Sequence, residues 1–147
     1  MDSFRKIALI FLENEEGKLL FLLRDNNPHI PFPNTWDLIG GHLEGSETPE
    51  EALRREVREE IGEELLDYSF SFFRSYEVLQ GDAYPNIKFV YCAKFSKPIP
   101  ELKLGNEGQR LELFSYEDLK NISLANVMDK IVEDYMKARK AGLISFL

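Results

Sequence analysis

Three things are scarce in this chain, and each scarcity excludes something. Cysteine occurs once, at Cys92. No intramolecular disulfide can form, and a lone thiol in an apolar run reads as a buried, inert side chain in a reducing compartment, the cytoplasm. Long apolar runs are missing too. The run from Ile7 to Leu12 has six apolar residues, too few for a signal-peptide core or a membrane span, and reads instead as a buried strand. Positive charge is also short: 18 Lys and Arg stand against 26 Asp and Glu, a formal net charge of −8. That balance argues against nonspecific binding to nucleic acid or to a membrane surface. An anionic ligand would need a metal or a local arginine cluster to overcome the global repulsion. No repeat, low-complexity tract or linker divides the 147 residues, which suit one domain.

What the chain does have is concentrated in Gly41 to Glu63, GHLEGSETPEEALRREVREEIGE. The spacing predicts a helix with legible ends. Thr48 is placed as N-cap, Pro49 occupies the first helical position, and Glu51 completes a capping box. Gly62 is placed to end it. Leu53, Val57 and Ile61 form an apolar stripe that must pack on something. Glu56, Glu59 and Glu60 fall within an arc of about 100° on a neighbouring face. Carboxylates this close repel one another, and a hard divalent cation with oxygen ligands would relieve that repulsion. The plain alternative is a solvated Glu/Arg-rich surface helix.

Around this helix the chain reads as mixed α/β. Strands are expected at Ile7–Leu12 and Lys18–Arg24, joined by a turn over Asn14–Gly17. Pro28, Pro31 and Pro33 make Asp25–Thr35 an irregular loop containing His29. A short strand, Trp36–Ile39, leads into Gly40 and Gly41. Tyr68–Val78 and Ile87–Phe95 read as strands joined around Gly81, Asp82 and Pro85. A loop from Lys97 to Gly108 precedes a strand at Leu111–Phe114 and a helical turn at Tyr116–Lys120. A last helix runs from Asn126 to Ala141, with Val127, Ile131 and Tyr135 in phase and Gly142 closing it. A sheet covered by a helix on each side is the natural layering. The apolar end, Leu143–Leu147, could pack on the domain or on a second copy, so monomer and homodimer both stay open.

The central stretch resembles the Nudix box, G-x5-E-x7-R-E-U-x-E-E-x-G-U, where U is a bulky aliphatic residue. Gly41, Glu47, Arg55, Glu56, Val57, Glu59, Glu60 and Gly62 fall in register. Glu63 departs from the aliphatic pattern, at a packing position. The preceding hairpin, the WDLIGG segment and the order of later elements are similar to a whole Nudix domain spanning residues 1–147. The resemblance implies the Nudix fold, a mixed β-sheet sandwiched between α-helices, and hydrolysis of a pyrophosphate linked to a nucleoside or other group. It implies Mg²⁺ or Mn²⁺ held by Glu56, Glu59 and Glu60, with the Gly40 carbonyl as a fourth ligand. Arg55 would orient a catalytic glutamate, and Glu47 would pair with Arg55. The general base is left open between Glu56 and Glu59, with Glu107 as the alternative from outside the box.

Substrate choice must come from elsewhere in the chain. Asn106–Gln109 looks like the K-E-G-Q loop of MutT-type nucleoside triphosphate hydrolases, which brings Glu107 toward the metal. Arg24 aligns with a phosphate-contacting arginine of that group. Leu124-Ala125-Asn126 resembles the segment whose asparagine reads a purine base, although Asn126 is equally placed as an N-cap. Trp36, Phe32 and Phe72 are candidates for base stacking, against ordinary core roles. The proline typical of ADP-ribose hydrolases is absent, with Glu77, Val78 and Leu79 in its place. Gln80 and Gly81 occupy the area where diadenosine polyphosphate hydrolases carry a tyrosine, with Tyr76 and Tyr84 out of register. The expectation is a nucleoside triphosphate, with an oxidised purine nucleotide such as 8-oxo-dGTP as one option. Another nucleoside-diphosphate compound, or a non-catalytic nucleotide sensor, is the alternative.

Overall fold

The computed structural model describes residues 4–62, 68–96, 108–125 and 127–144. Its organising element is the first strand, β1 (Arg5–Glu13), in which all residues from Ile7 to Glu13 are buried. Alternation sends Ile7, Leu9 and Phe11 to one face of the sheet and Ala8, Ile10 and Leu12 to the other. Both faces are apolar, so both need cover. The second half of the cover comes late in the chain.

Strand β1 pairs antiparallel with β2 (Leu19–Leu23) only at Glu13 and Leu19, then leaves it. The expected strand at residues 36–39 is split for this reason. Trp36–Asp37, β3, pairs with β2, whereas Ile39–His42, β4, pairs with β1 from Ile7 to Ile10. One short segment thus bridges two diverging strands, a demand that its own sequence does not express. On the other side β1 runs parallel to β6 (Asn86–Lys94), which pairs antiparallel with β5 (Ser71–Val78). Strand β7 (Arg110–Phe114) closes against β2. The expected strand at residues 68–78 starts late, at Ser71.

The helix α1 (Pro49–Ile61) forms as its local signals dictate. Thr48 and Glu51 make both bonds of the capping box, and the Gly62 N–H closes on the Arg58 carbonyl. Its stripe of Leu53, Val57 and Ile61 is fully buried against Ala8, Ile10 and Leu12. After the turn α2 (Tyr116–Leu119), the last helix α3 (Met128–Lys140) covers the opposite face. It begins two residues later than expected. Val127, not Asn126, stands at the N-cap, with no side-chain cap bond. Tyr135 stacks on Phe11 at 4.0 Å, and Glu13 accepts hydrogen bonds from Tyr135 Oη and from Arg139 Nη2 at 2.7 Å. Cys92 is buried in this layer, and burial pushes its thiol up to about 11, as an inert side chain requires. No helix of the described residues is long and apolar enough to cross a membrane.

Candidate functional site

The box carboxylates are organised by one guanidinium. Arg55 Nε donates to Glu47 at 2.8 Å, and its Nη2 donates to Glu47 and to the His42 carbonyl at 3.0 and 2.9 Å. Its Nη1 donates to Glu56 at 3.0 Å and to Glu59 at 3.3 Å. Glu47 in turn accepts from the Glu44 N–H at 2.8 Å, which closes the loop leading into the helix. The Arg55 hydrogen bond and the Glu44 N–H hold the Glu47 carboxyl below its usual range. In return Glu47 keeps the guanidinium charged, against its partial burial. The arrangement is a clamp, with Arg55 as the fixed centre.

Glu60 lies on the buried side of the same helix and accepts the Gly40 N–H at 2.9 Å. Gly40 adopts φ +146°, and a Cβ there would meet the Ala8 carbonyl oxygen at 2.0 Å. Gly41 has a different reason to be glycine: a Cβ on it would stand 2.5 Å from the Glu56 carboxyl. The carboxylates of Glu56 and Glu60 therefore sit over a backbone stripped of side chains. Their oxygens form the hard donor set that a divalent cation takes, with only one or two carboxylates needed for Mg²⁺. Among the described residues no three metal-ligating side chains converge already. Glu56 and Glu59 are instead turned to Arg55.

Beside these residues opens a cleft of about 470 Å³. Gly40, Gly41, Glu56 and Glu60 line it, together with a polar group of Asp37, Asp82, Tyr84 and Lys88. Arg24 lines the cleft too, but its guanidinium is engaged. It donates to the Pro31 carbonyl at 2.8 Å and faces Asp37 at 3.4 Å, pinning the proline-rich loop. Trp36 is not in the cleft. It is a core residue, 7% exposed, set edge-on against Phe114. Phe32 and Phe72 do not line the cleft either, and Phe72 sits on β5 against Tyr91. Glu107 and Asn126 lie outside the described residues. Close to them in the chain, the Gly108 N–H bonds Asp25 and Gly108 lines the cleft, while the Ala125 N–H bonds the Trp36 carbonyl and Met128 lines the cleft.

Sequence reasoning missed the polar group that lines the cleft outside the box. Lys88 is 1% exposed and pairs with Asp82 at 2.8 Å. Burial pushes the Asp82 carboxyl up, but the Lys88 hydrogen bond and the Ala83 N–H outweigh it and leave it lowered. Asp37 goes the other way: burial raises it, and the attraction of Arg24 does not restore it. His42 Nε2 and Tyr84 Oη are 2.6 Å apart, and burial followed by the nearby Arg5 and Lys88 lowers the imidazole, keeping it neutral near pH 7. One signal was present in the sequence. Lys88 stands in phase with Val90 and Cys92, the buried face of its strand.

Comparison with known proteins bears on family and fold. The family profile described as NUDIX domain matches residues 3–135. Nucleoside triphosphatase NudI from Escherichia coli is 45% identical over 62 residues, covering 42% of this chain and 43% of that relative. The match thus spans less than half of the relative's length. The crystal structure of a MutT protein from Methanosarcina mazei Go1 superposes with a TM-score of 0.74 at 22% identity, over 95% of this chain and 97% of that one. The NUDIX domain of Shewanella oneidensis NrtR, solved with ADP ribose, gives 0.78 at 17% identity, over 93% and 89%. At these identities the structural likeness is one of fold.

Proposed function

The chain belongs to the Nudix family, and from that premise we propose that it is a divalent-metal-dependent pyrophosphohydrolase converting a nucleoside triphosphate to the monophosphate and pyrophosphate. The observation that carries the reading is the Arg55 clamp on Glu47, Glu56 and Glu59, of which Glu56 lines the cleft. The partial likeness to a nucleoside triphosphatase supports the choice of substrate.

Glu56, Glu59, Glu60 and the Gly40 carbonyl would hold Mg²⁺ or Mn²⁺, with Glu107 as a further ligand. When bound, the ion supplies positive charge for the phosphate oxygens and acidity for a water nucleophile. The protein's own part is positional. Glu60 is anchored by the Gly40 N–H, so one carboxylate is fixed before any ligand arrives. Arg55 sets the direction of Glu56 and Glu59, of which one takes the proton from the attacking water, with Glu107 as the alternative base. Glu47 keeps Arg55 in place and acts through it. Arg24 contacts the phosphates by its free edge or by a shift of the proline-rich loop, and Asn126 reads the base. Trp36 supports the segment Ser123–Ala125 from beneath, by two backbone bonds, and so acts on the base site indirectly.

Cleavage followed by chromatographic separation of the nucleotide products, over a panel of nucleoside triphosphates, ADP-ribose and diadenosine polyphosphates with Mg²⁺, tests the reading. Triphosphates should be cleaved fastest, and Glu56→Gln should lower kcat by about a hundredfold or more while leaving the thermal melt unchanged. Weakened Mn²⁺ binding in the same variant, read by paramagnetic resonance, checks the ligand assignment without relying on turnover. Unchanged rates in Glu56→Gln would remove the metal assignment. Faster cleavage of ADP-ribose would move the substrate to another nucleoside-diphosphate compound, and a folded protein that cleaves nothing on the panel would be a sensor.

A further inference from the structure

Besides the box residues, the cleft is lined by a built polar floor whose charges cancel. Arg24 faces Asp37, and Lys88 pairs with Asp82, so two cations stand against two carboxylates. Such a floor has no net charge to offer a phosphate. What it offers is hydrogen bonding in reserve. The Lys88 ammonium carries three donors, and its hydrogen bond goes to Asp82. Asp37 takes the Leu38 N–H on one oxygen and faces Arg24 at 3.4 Å with the other, leaving acceptor sites over. Asn86, which donates to Asp82, keeps a buried oxygen with no partner among the described residues. A buried network with donors and acceptors in reserve is costly for packing alone. It makes sense where a ligand completes it.

The register fixes how far this floor lies from the box. Lys88 and His42 flank Ile7 in one cross-strand row, β6–β1–β4. They are thus two strand spacings apart, about 10 Å. A nucleotide whose phosphates meet Glu56 and Glu60 beside β4 carries its sugar and base across that row. The surroundings suit a flat heterocycle: Ile7, Leu9 and Met128 give apolar surface, and Tyr84, held between Arg5 and His42, gives an aromatic wall.

We propose that Asp37 and Lys88 select a base with a lactam edge, a ring carbonyl beside a ring N–H, as in guanine, uracil and thymine. The ammonium donates to the carbonyl and the carboxylate accepts from the N–H. Adenine and cytosine present the reverse order, an amino donor beside a ring acceptor. They set donor against ammonium and acceptor against carboxylate, and leave four buried groups unpaired. This deepens the triphosphatase reading and rests on it only for where the phosphates lie.

Two paired measurements decide it. The first is kcat/KM for dGTP against dATP and for dUTP against dCTP, pairs matched in ring size. The second is metal-free binding of GMP, AMP, UMP and CMP by calorimetry, which needs no turnover. The keto member of each pair should be favoured about tenfold or more in both. Asp37→Asn should bring each ratio close to one. Lys88→Met should do the same, and Lys88→Met/Asp82→Asn removes the stranded carboxylate if the single variant does not fold. Equal use of all four bases by the native protein, or ratios unmoved in folded Asp37→Asn, would overturn the proposal. Hydrolysis without base preference defeats this inference and spares the triphosphatase reading. Base-selective binding without hydrolysis does the opposite.

Discussion

Adjacent glycines at residues 40 and 41 serve different ends, and their alanine variants should fail differently. At Gly40 the obstacle is backbone: the Ala8 carbonyl lies 2.0 Å from the position of a Cβ, at a φ of +146°. Neither can give, so Gly40→Ala should cost about 3 kcal/mol or more, visible as a lowered urea midpoint. At Gly41 the obstacle is the carboxyl of Glu56, the movable end of a side chain. Gly41→Ala should keep its melting temperature while losing about a hundredfold in kcat, because Glu56 is pushed from its place. Asp37 makes a second case at this scale. Burial raises its pKa above 3.8, so the native state holds the proton more tightly than the unfolded chain. Stability then falls as pH rises from that value through the native pKa. Asp37→Asn removes this loss. Its melting temperature relative to the native protein should climb from pH 4 to pH 8, and a constant difference would contradict the buried carboxylate.

Helix α1 could be read in full because everything that specifies it is local. Thr48, Pro49, Glu51 and Gly62 mark its ends within a turn of the residues they cap, and the stripe at four-residue spacing names its buried face. Thr48→Ala should remove the capping box at a cost of about 1 kcal/mol, a fall in melting temperature of about 3 °C. The strands were legible as apolar runs, but their partners were not. The division of residues 36–42 between β2 and β1 follows from the divergence of two other strands. The polar floor is harder still, since Asp37, Asp82 and Lys88 come from β3, a loop and β6 and meet through the parallel pairing of β6 with β1. Local pattern carries no record of that pairing. Only Lys88 showed its unusual place, as a charge in phase with Val90 and Cys92. Asn126 erred in the opposite sense: a good capping residue stood near a helix start, and the chain capped one residue later, on Val127.

Among the described residues, depressed carboxylates outnumber the raised one. Glu47 is lowered by Arg55. Asp82 and Asp134 are lowered because hydrogen bonds from Lys88, and from Tyr76 and Lys130, outweigh burial. Each contributes stability that is complete above its ordinary value, 4.5 for Glu47 and 3.8 for the two aspartates, and is lost as pH falls through its native one. With His42, whose buried imidazole is lowered and so adds stability as pH rises toward 6.5, this predicts stability that falls as pH drops below 6.5 and further below about pH 4, with the raised Asp37 opposing that trend above 3.8. Thermal melts from pH 3 to pH 8 would show it, and a flat profile would count against these ion pairs. The clamp of Tyr135 and Arg139 on Glu13 has a consequence of another kind. Arg139 reaches back across 126 positions to the strand made first. As the chain leaves the ribosome, Ile7 to Leu12 emerge with one face waiting for α1 and the other for α3. The second face stays open until nearly all of the domain has been translated. A nascent or truncated chain lacking α3 would therefore present an apolar strand to chaperones and to its own copies.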